Sequence, residues 1–130
     1  MSSFEQVGGE WALRAIVHDF VGAMVEDPMI GFFFDDVDLH RLRDKEYEMT
    51  AKFLGAQIKY TGRGMRKAHR GRPIFAGQFD RRRQILVETL EQHHVPEEIR
   101  KVWLHHVDTL RPLILGAPGP LPILDDPSPE

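Results

Sequence analysis

The sequence predicts an all-α protein, and three observations carry that reading. Apolar residues recur at three- and four-residue spacing through almost everything that precedes the last fifteen positions, which is the period of one helix face. Strand-type alternation is nowhere sustained. Helix breakers punctuate these periodic stretches, at Gly8-Gly9, Asp27-Pro28, Gly62 and Gly64, Gly71 and Pro73, and Pro96.

Leu13, Ile16, Val17, Phe20 and Met24 mark the buried stripe of the first long helix, which should stop near Asp27-Pro28 because the residue before a proline is pushed out of the helical region. The aromatic cluster Phe32-Phe33-Phe34 follows, and Asp35-Asp36 reads as the turn that starts the next helix. That helix carries Leu39, Leu42, Met49, Phe53 and Leu54 on one side, with Glu46 in a slot where an apolar residue is expected. Gln57 to Gly64 reads as a loop leading into a short helix around Met65 to Arg70, closed by Gly71 and Pro73. The fourth long segment runs from about Ala76 to Gln92 with Phe79, Leu86, Val87 and Leu90 inward. Val95-Pro96-Glu97-Glu98 opens the last helix, with proline and acids where the helix dipole favours them. Its inward residues are Ile99, Val102, Trp103, His106, Leu110, Leu113 and Ile114. Pro118, Pro120, Pro122, Pro127 and Pro129 then make an extended tail, so the chain divides into a helical domain over 1–116 and a proline-rich segment over 117–130.

At 130 residues and 15.0 kDa the chain is one domain in size. Hydrophobic residues at 42% and charged residues at 28% are ordinary globular usage and exclude whole-chain disorder. Lys+Arg 17 against Asp+Glu 20 leaves a net charge of −3, which argues against nucleic acid or an anionic membrane as partner. The absence of cysteine excludes disulfides, thiolate zinc sites, cysteine-held iron–sulfur clusters and cysteine nucleophiles. No apolar run approaches the roughly 18 residues of a membrane span, and MSSFEQVGGE is not a signal peptide, so a cytoplasmic protein is expected.

Chemistry has few places to reside. His93-His94 and His105-His106 do not chelate from one helix face, because neighbouring helical residues point about 100° apart. They read as solvated residues near helix ends, except His106, which falls on the buried stripe; His18 and His40 read as exposed. In Arg81-Arg82-Arg83 a solvated face accounts for two members but not a third lying between Phe79 and Leu86. His69 closes the short helix, behind a glycine-containing loop and one turn after Met65; an imidazole there could hold a haem iron through one ring nitrogen.

In these residues the sequence resembles the truncated haemoglobins, short globins built as a two-over-two helical sandwich, and specifically their group I branch. The resemblance covers roughly Phe4 to Leu115 and rests on the order and spacing of Val7-Gly8-Gly9, Asp19-Phe20, Glu26-Asp27-Pro28, Phe33-Phe34, Tyr60-Thr61-Gly62, Met65 to His69, Gly71 and Val95 to Glu98. It implies a haem b cofactor, with His69 matching the family's proximal iron ligand and Phe34 the phenylalanine packed on the haem. Phe33, Met65, Tyr60, Ile74, Phe79 and Leu86 match positions that line or edge the pocket, and Arg63 and Arg66 lie within reach of propionates on the same reading. Leu42 matches the distal gate. Lys45 matches a position that is commonly a propionate-binding lysine and in some relatives a distal iron ligand.

Departures from the family pattern concentrate on the distal side. The family's distal tyrosine is Val21 here, its usual neutral distal residue is Glu46, and Arg82 replaces an apolar pocket residue. The resemblance thus implies a haemoglobin that binds oxygen or nitric oxide, with carbon monoxide as a further diatomic ligand. The alternative is a haem enzyme, an NO dioxygenase or peroxidase-like protein served by a reductase, with Glu46 as acid/base and Arg82 beside it. A haem-based gas sensor using the tail as a contact is a further alternative, and the oligomeric state is left open by the sequence.

Overall fold

The computed structural model describes residues 1–61 and 74–115. The short helix expected at Met65 to Arg70 and the proline-rich tail lie outside the described residues. Among the described residues every regular element is helical: α1 (Ser3–Gln6), α2 (Gly9–Glu26), a 3-10 turn (Gly31–Phe34), α3 (Leu39–Phe53), α4 (Ala76–Gln92) and α5 (Glu97–Leu115). Helix α2 packs on both α3 and α4, and α4 packs on α5, so two helix pairs are joined through the α2–α4 contact.

Local chemistry sets the ends. Ser2 and Glu5 form a reciprocal cap on α1, and the Phe4 amide donates to Leu54 O at 2.9 Å, fastening α1 to the end of α3. Gly8 opens α2 at φ 114°, where a Cβ would lie 2.6 Å from that of Ala12, so both backbone angle and space demand glycine. Gly31 is required for a different reason: a Cβ there would stand 2.4 Å from Val25 O. Helix α3 is capped by Asp38, whose carboxylate accepts from the Arg41 amide at 3.1 Å; Asp35 and Asp36 belong to the turn before it. Helix α4 starts where the Gln78 side chain accepts from the Phe75 amide at 2.9 Å.

The core is the α2 stripe Leu13, Ile16, Val17, Phe20, Val21 and Met24 against Ala51 and Leu54 of the α3 end, Leu86 and Leu90 of α4, and Trp103 of α5. Three sequence expectations change. Val87 is only half-buried, because α4 turns Phe79, Ile85, Leu86, Thr89 and Leu90 inward. Val102 is 49% exposed, because the inward face of α5 is carried by Ile99, Trp103 and Val107. The buried residues of α3 are Tyr47 and Ala51, whereas Leu42, Met49 and Phe53 are only half-buried. The helix has two inner faces, one against α2 and one against a cavity.

Asp27 secures the end of α2. Its Oδ2 accepts the amides of Met29 (2.9 Å) and Ile30 (3.1 Å), and its Oδ1 accepts Arg81 Nε at 2.7 Å across 54 residues of sequence. Burial pushes the carboxyl up, but the Arg81 bond, the two amides and the Arg81 charge outweigh it and hold the group below its ordinary value. A depressed carboxylate stabilises the fold above its unfolded pKa of about 3.9 and loses that contribution as pH falls through the lower folded value. Asp27→Asn should therefore lower Tm at pH 7, and its deficit relative to wild type should shrink as melting is repeated below about pH 4. Leu13→Ala, at a fully buried position, should cost about 2–5 kcal/mol in denaturant unfolding, with no comparable pH dependence.

Candidate functional site

Between the four long helices lies a cavity of about 440 Å³, mainly apolar in its lining. Phe33 and Phe34 reach it because the 3-10 turn rotates them inward, leaving Phe32 stacked on Phe33 at 4.2 Å and 54% exposed. Leu42, Lys45 and Glu46 of α3, Tyr60 of the following loop, Ile74, and Phe79, Arg82 and Leu86 of α4 complete the set of sequence-predicted residues that border it. Arg63, Met65, Arg66 and His69 lie outside the described residues. Val21 is fully buried and is not among the lining residues, so the position matched to the distal tyrosine offers the cavity neither a hydroxyl nor a wall.

Sequence reasoning missed part of the lining. Ile16, Val17, Phe20 and Met24 read as core stripe, and Trp103, His106, Leu110 and Ile114 as the inner face of the last helix, while the spacing does not single out Val107; all of them also face the cavity. The available signal was an apolar face broader than one neighbouring helix needs.

Three polar groupings stand on this wall. Arg82 Nη2 donates to Glu46 Oε1 at 3.4 Å, and the guanidinium lies over the Phe20 ring, 4.9 Å from its centroid. Arg81 and Arg83 turn away, the first to Asp27 and the second to Asp108 through two contacts of 2.8 and 3.1 Å. Lys45 Nζ donates to the Thr61 hydroxyl and to Glu48 Oε2 at 3.5 Å, while Thr61 gives both its amide and its hydroxyl to Glu48 Oε1 at 2.8 Å. Burial raises the Glu48 carboxyl, but the Thr61 donors and Lys45 more than offset this and bring it below its ordinary value. Tyr60 is driven the other way, first by burial and then by the charges of Glu46 and Glu48, so its phenol stays a neutral O–H. Of the remaining histidines, His93 is bonded to Asp19 at 2.8 Å and is not merely solvated.

An apolar cavity with phenylalanines on its walls and cationic groups on its lining suits a flat, hydrophobic cofactor that carries acidic substituents. The sequence matches the bacterial-like globin family over residues 2–115. It is 31% identical over 113 residues to the group 1 truncated haemoglobin GlbN of Mycolicibacterium paratuberculosis, covering 87% of this chain and 83% of that one. The chain belongs to the bacterial-like globins, in the group 1 truncated haemoglobin branch. It is also 31% identical over 100 residues to the corresponding GlbN of Synechocystis, covering 74% of this globin and 81% of the relative. The solved Fe(III) truncated haemoglobin of Tetrahymena pyriformis superposes with a TM-score of 0.80 at 25% identity, covering 88% of this chain and 98% of that one. The two-over-two helical sandwich is thus the fold of this globin. Haem is the cofactor of the family, and the described wall fits it.

His106 stacks on Phe53 with ring centroids 4.0 Å apart, and burial, followed by the neighbouring His105, lowers its pKa. The unfolded chain takes up this proton near pH 6.5, while the folded chain resists it, so stability falls as pH drops through 6.5 and levels off below the folded value. Thermal melts from about pH 7.5 to 5 should show His106→Phe losing less stability than wild type over this range. A direct check is the His106 ring titration by NMR, expected below the ordinary histidine value.

Proposed function

We propose that this globin holds haem b in the cavity between its four long helices and there binds oxygen, nitric oxide or carbon monoxide. The observation that carries the reading is the convergence of Phe33, Phe34, Leu42, Lys45, Glu46, Tyr60, Ile74, Phe79, Arg82 and Leu86 on one apolar cavity. Haem iron, when bound, would supply the ligand-binding chemistry, and a protein imidazole would hold it. His69 is the residue that would hold the iron, on the motif that ends at it.

The remaining residues act by packing and by charge. Phe33, Phe34, Ile74, Phe79 and Leu86 wall the macrocycle and exclude water. Lys45 is assigned to the acidic edge of the cofactor, with Arg63 and Arg66, and not to the iron. Its Nζ is already engaged by Thr61 and Glu48 at the mouth of the loop after α3. Glu46 and Arg82 replace the missing tyrosine as the polar elements of the distal wall.

A second reading, a haem enzyme of NO dioxygenase or peroxidase-like type, is favoured by one observation. Glu46 is a carboxylate on the cavity wall, only 18% exposed, where it could carry a proton to or from a ligand. In that role its pairing with Arg82 would hold the acid in place.

Reconstitution with haem should give a Soret band in wild type and weak, imidazole-rescuable haem retention in His69→Ala; no band in wild type would sink the proposal. Lys45→Ala should speed haem loss several-fold and leave the ferric spin state unchanged, whereas a low-spin wild type turning high-spin in this variant would make Lys45 an iron ligand. Glu46→Gln separates the two functions. Oxygen dissociation and peroxide turnover that lose a wild-type pH dependence support the enzyme, and superimposable profiles leave gas binding alone.

A further inference from the structure

Three apolar side chains stay largely in water where the 3-10 turn meets the start of α4: Phe75 is 68% exposed, Phe32 54% and Met29 46%. The fold makes them neighbours. Met29 Cε lies 3.5 Å from the point where a Cβ on Gly77 would stand, so this side chain crosses onto the first turn of α4. Phe32 stacks on Phe33, and both Phe33 and Ile74, the residue before Phe75, line the cavity. Asp27 holds the two sides in place, accepting the Met29 amide with one oxygen and Arg81 of α4 with the other. An apolar surface prepared in this way is costly to leave in water and marks a place of contact.

Helix register decides what lies next to it. Asp80 meets Arg111 and Arg83 meets Asp108, so each step back along α4 is matched by a step forward along α5. That register carries Leu115, the last residue of α5, level with Ala76 and beside Phe75. Residues 116–130 follow, and their one apolar run is Leu121-Pro122-Ile123-Leu124. The chain from Leu115 to Leu121 can reach up to about 20 Å. A segment tethered that closely acts at an effective concentration on the order of millimolar, which favours it over a second copy of the chain. We infer that residues 121–124 dock on Met29, Phe32 and Phe75, so that the chain's own tail straps the edge of the cavity. Pro118, Pro120 and Pro122 suit this role, since they cannot continue α5 and they reduce the entropy lost when the strap settles. Such a strap depends on the surface alone, whatever the cavity holds.

Because the chain has no cysteine, one engineered pair reports the contact. Ala76→Cys with Asp125→Cys in the full chain leaves both apolar partners intact and should form an intramolecular disulfide under mild oxidation, followed by mass spectrometry. Its rate should fall about 10-fold when Leu121→Ser and Ile123→Ser are added, and similarly with Phe75→Ser, as expected when large apolar side chains lose their burial. A rate indifferent to either change means mere proximity of a free tail and overturns the inference. Disulfides that form between chains, in proportion to protein concentration, give the surface to a second copy and overturn it too. A cysteine-free measurement covers the case in which the pair perturbs folding. Chymotrypsin should cut after Leu124 several-fold faster in Phe75→Ser than in wild type. Trp11→Ser, at the other end of α2 and equally an exposed aromatic, should leave that rate unchanged. Equal cutting in wild type and Phe75→Ser, or faster cutting in both variants, overturns the strap.

Discussion

A helix packed on two sides must be apolar over more than one stripe, and α2 meets that demand with Leu13, Ile16, Val17, Phe20, Val21 and Met24, all buried. Everything else is arranged around it. Its outer end is locked by Asp27, its flank toward α3 is filled by Ala51 and Leu54, and its flank toward α4 meets Leu86 and Leu90. Because α2 occupies the middle, α3 and α4 cannot close on one another along their whole length. The space they leave is the cavity, and Phe20 and Met24 serve as core on one side and wall on the other.

Three consecutive arginines on α4 exploit the same geometry. Successive residues rotate about 100° around a helix axis, so Arg81, Arg82 and Arg83 cannot share a face. Each reaches a carboxylate on a different neighbour, Asp27 after α2, Glu46 on α3 and Asp108 on α5. Helix α4 is thereby joined to every other long helix by side-chain charge as well as by apolar contact. Only the middle member of the run faces the cavity, which is why a basic run on an acidic chain has both structural and functional consequences.

Element order, the helical class and the bounds of α4 were legible in the sequence, because Phe79, Leu86 and Leu90 keep strict helical spacing and breakers flank them. Part of the cavity wall in the described residues was legible too, through motif resemblance, while the faces that α2 and α5 turn to the cavity were not. Most contacts with a distant partner could not be read, Arg82 beside Glu46 being the exception. Asp27 looked like a helix stop, and its bond to Arg81 spans 54 residues; the Asp19–His93 contact spans 74. The two inner faces of α3 were illegible for another reason. Tyr47 and Ala51 do not stand out in a helix this rich in charge, whereas the spacing of Leu42, Met49 and Phe53 marks a core face that in fact lines the cavity.

The three arginine pairs also differ in how far water reaches them, and dissolved salt acts on that difference. Mobile ions screen exposed charges over roughly 8–10 Å at ordinary ionic strength and affect buried pairs much less. The Asp27 side chain is 3% exposed and that of Asp108 is 49% exposed, with Glu46 between them. Rising ionic strength therefore weakens the α4–α5 seam first and reaches the turn after α2 last. The scaffold's response to salt has a direction, loosening from the α5 side inward while the α2 end of the cavity keeps its shape.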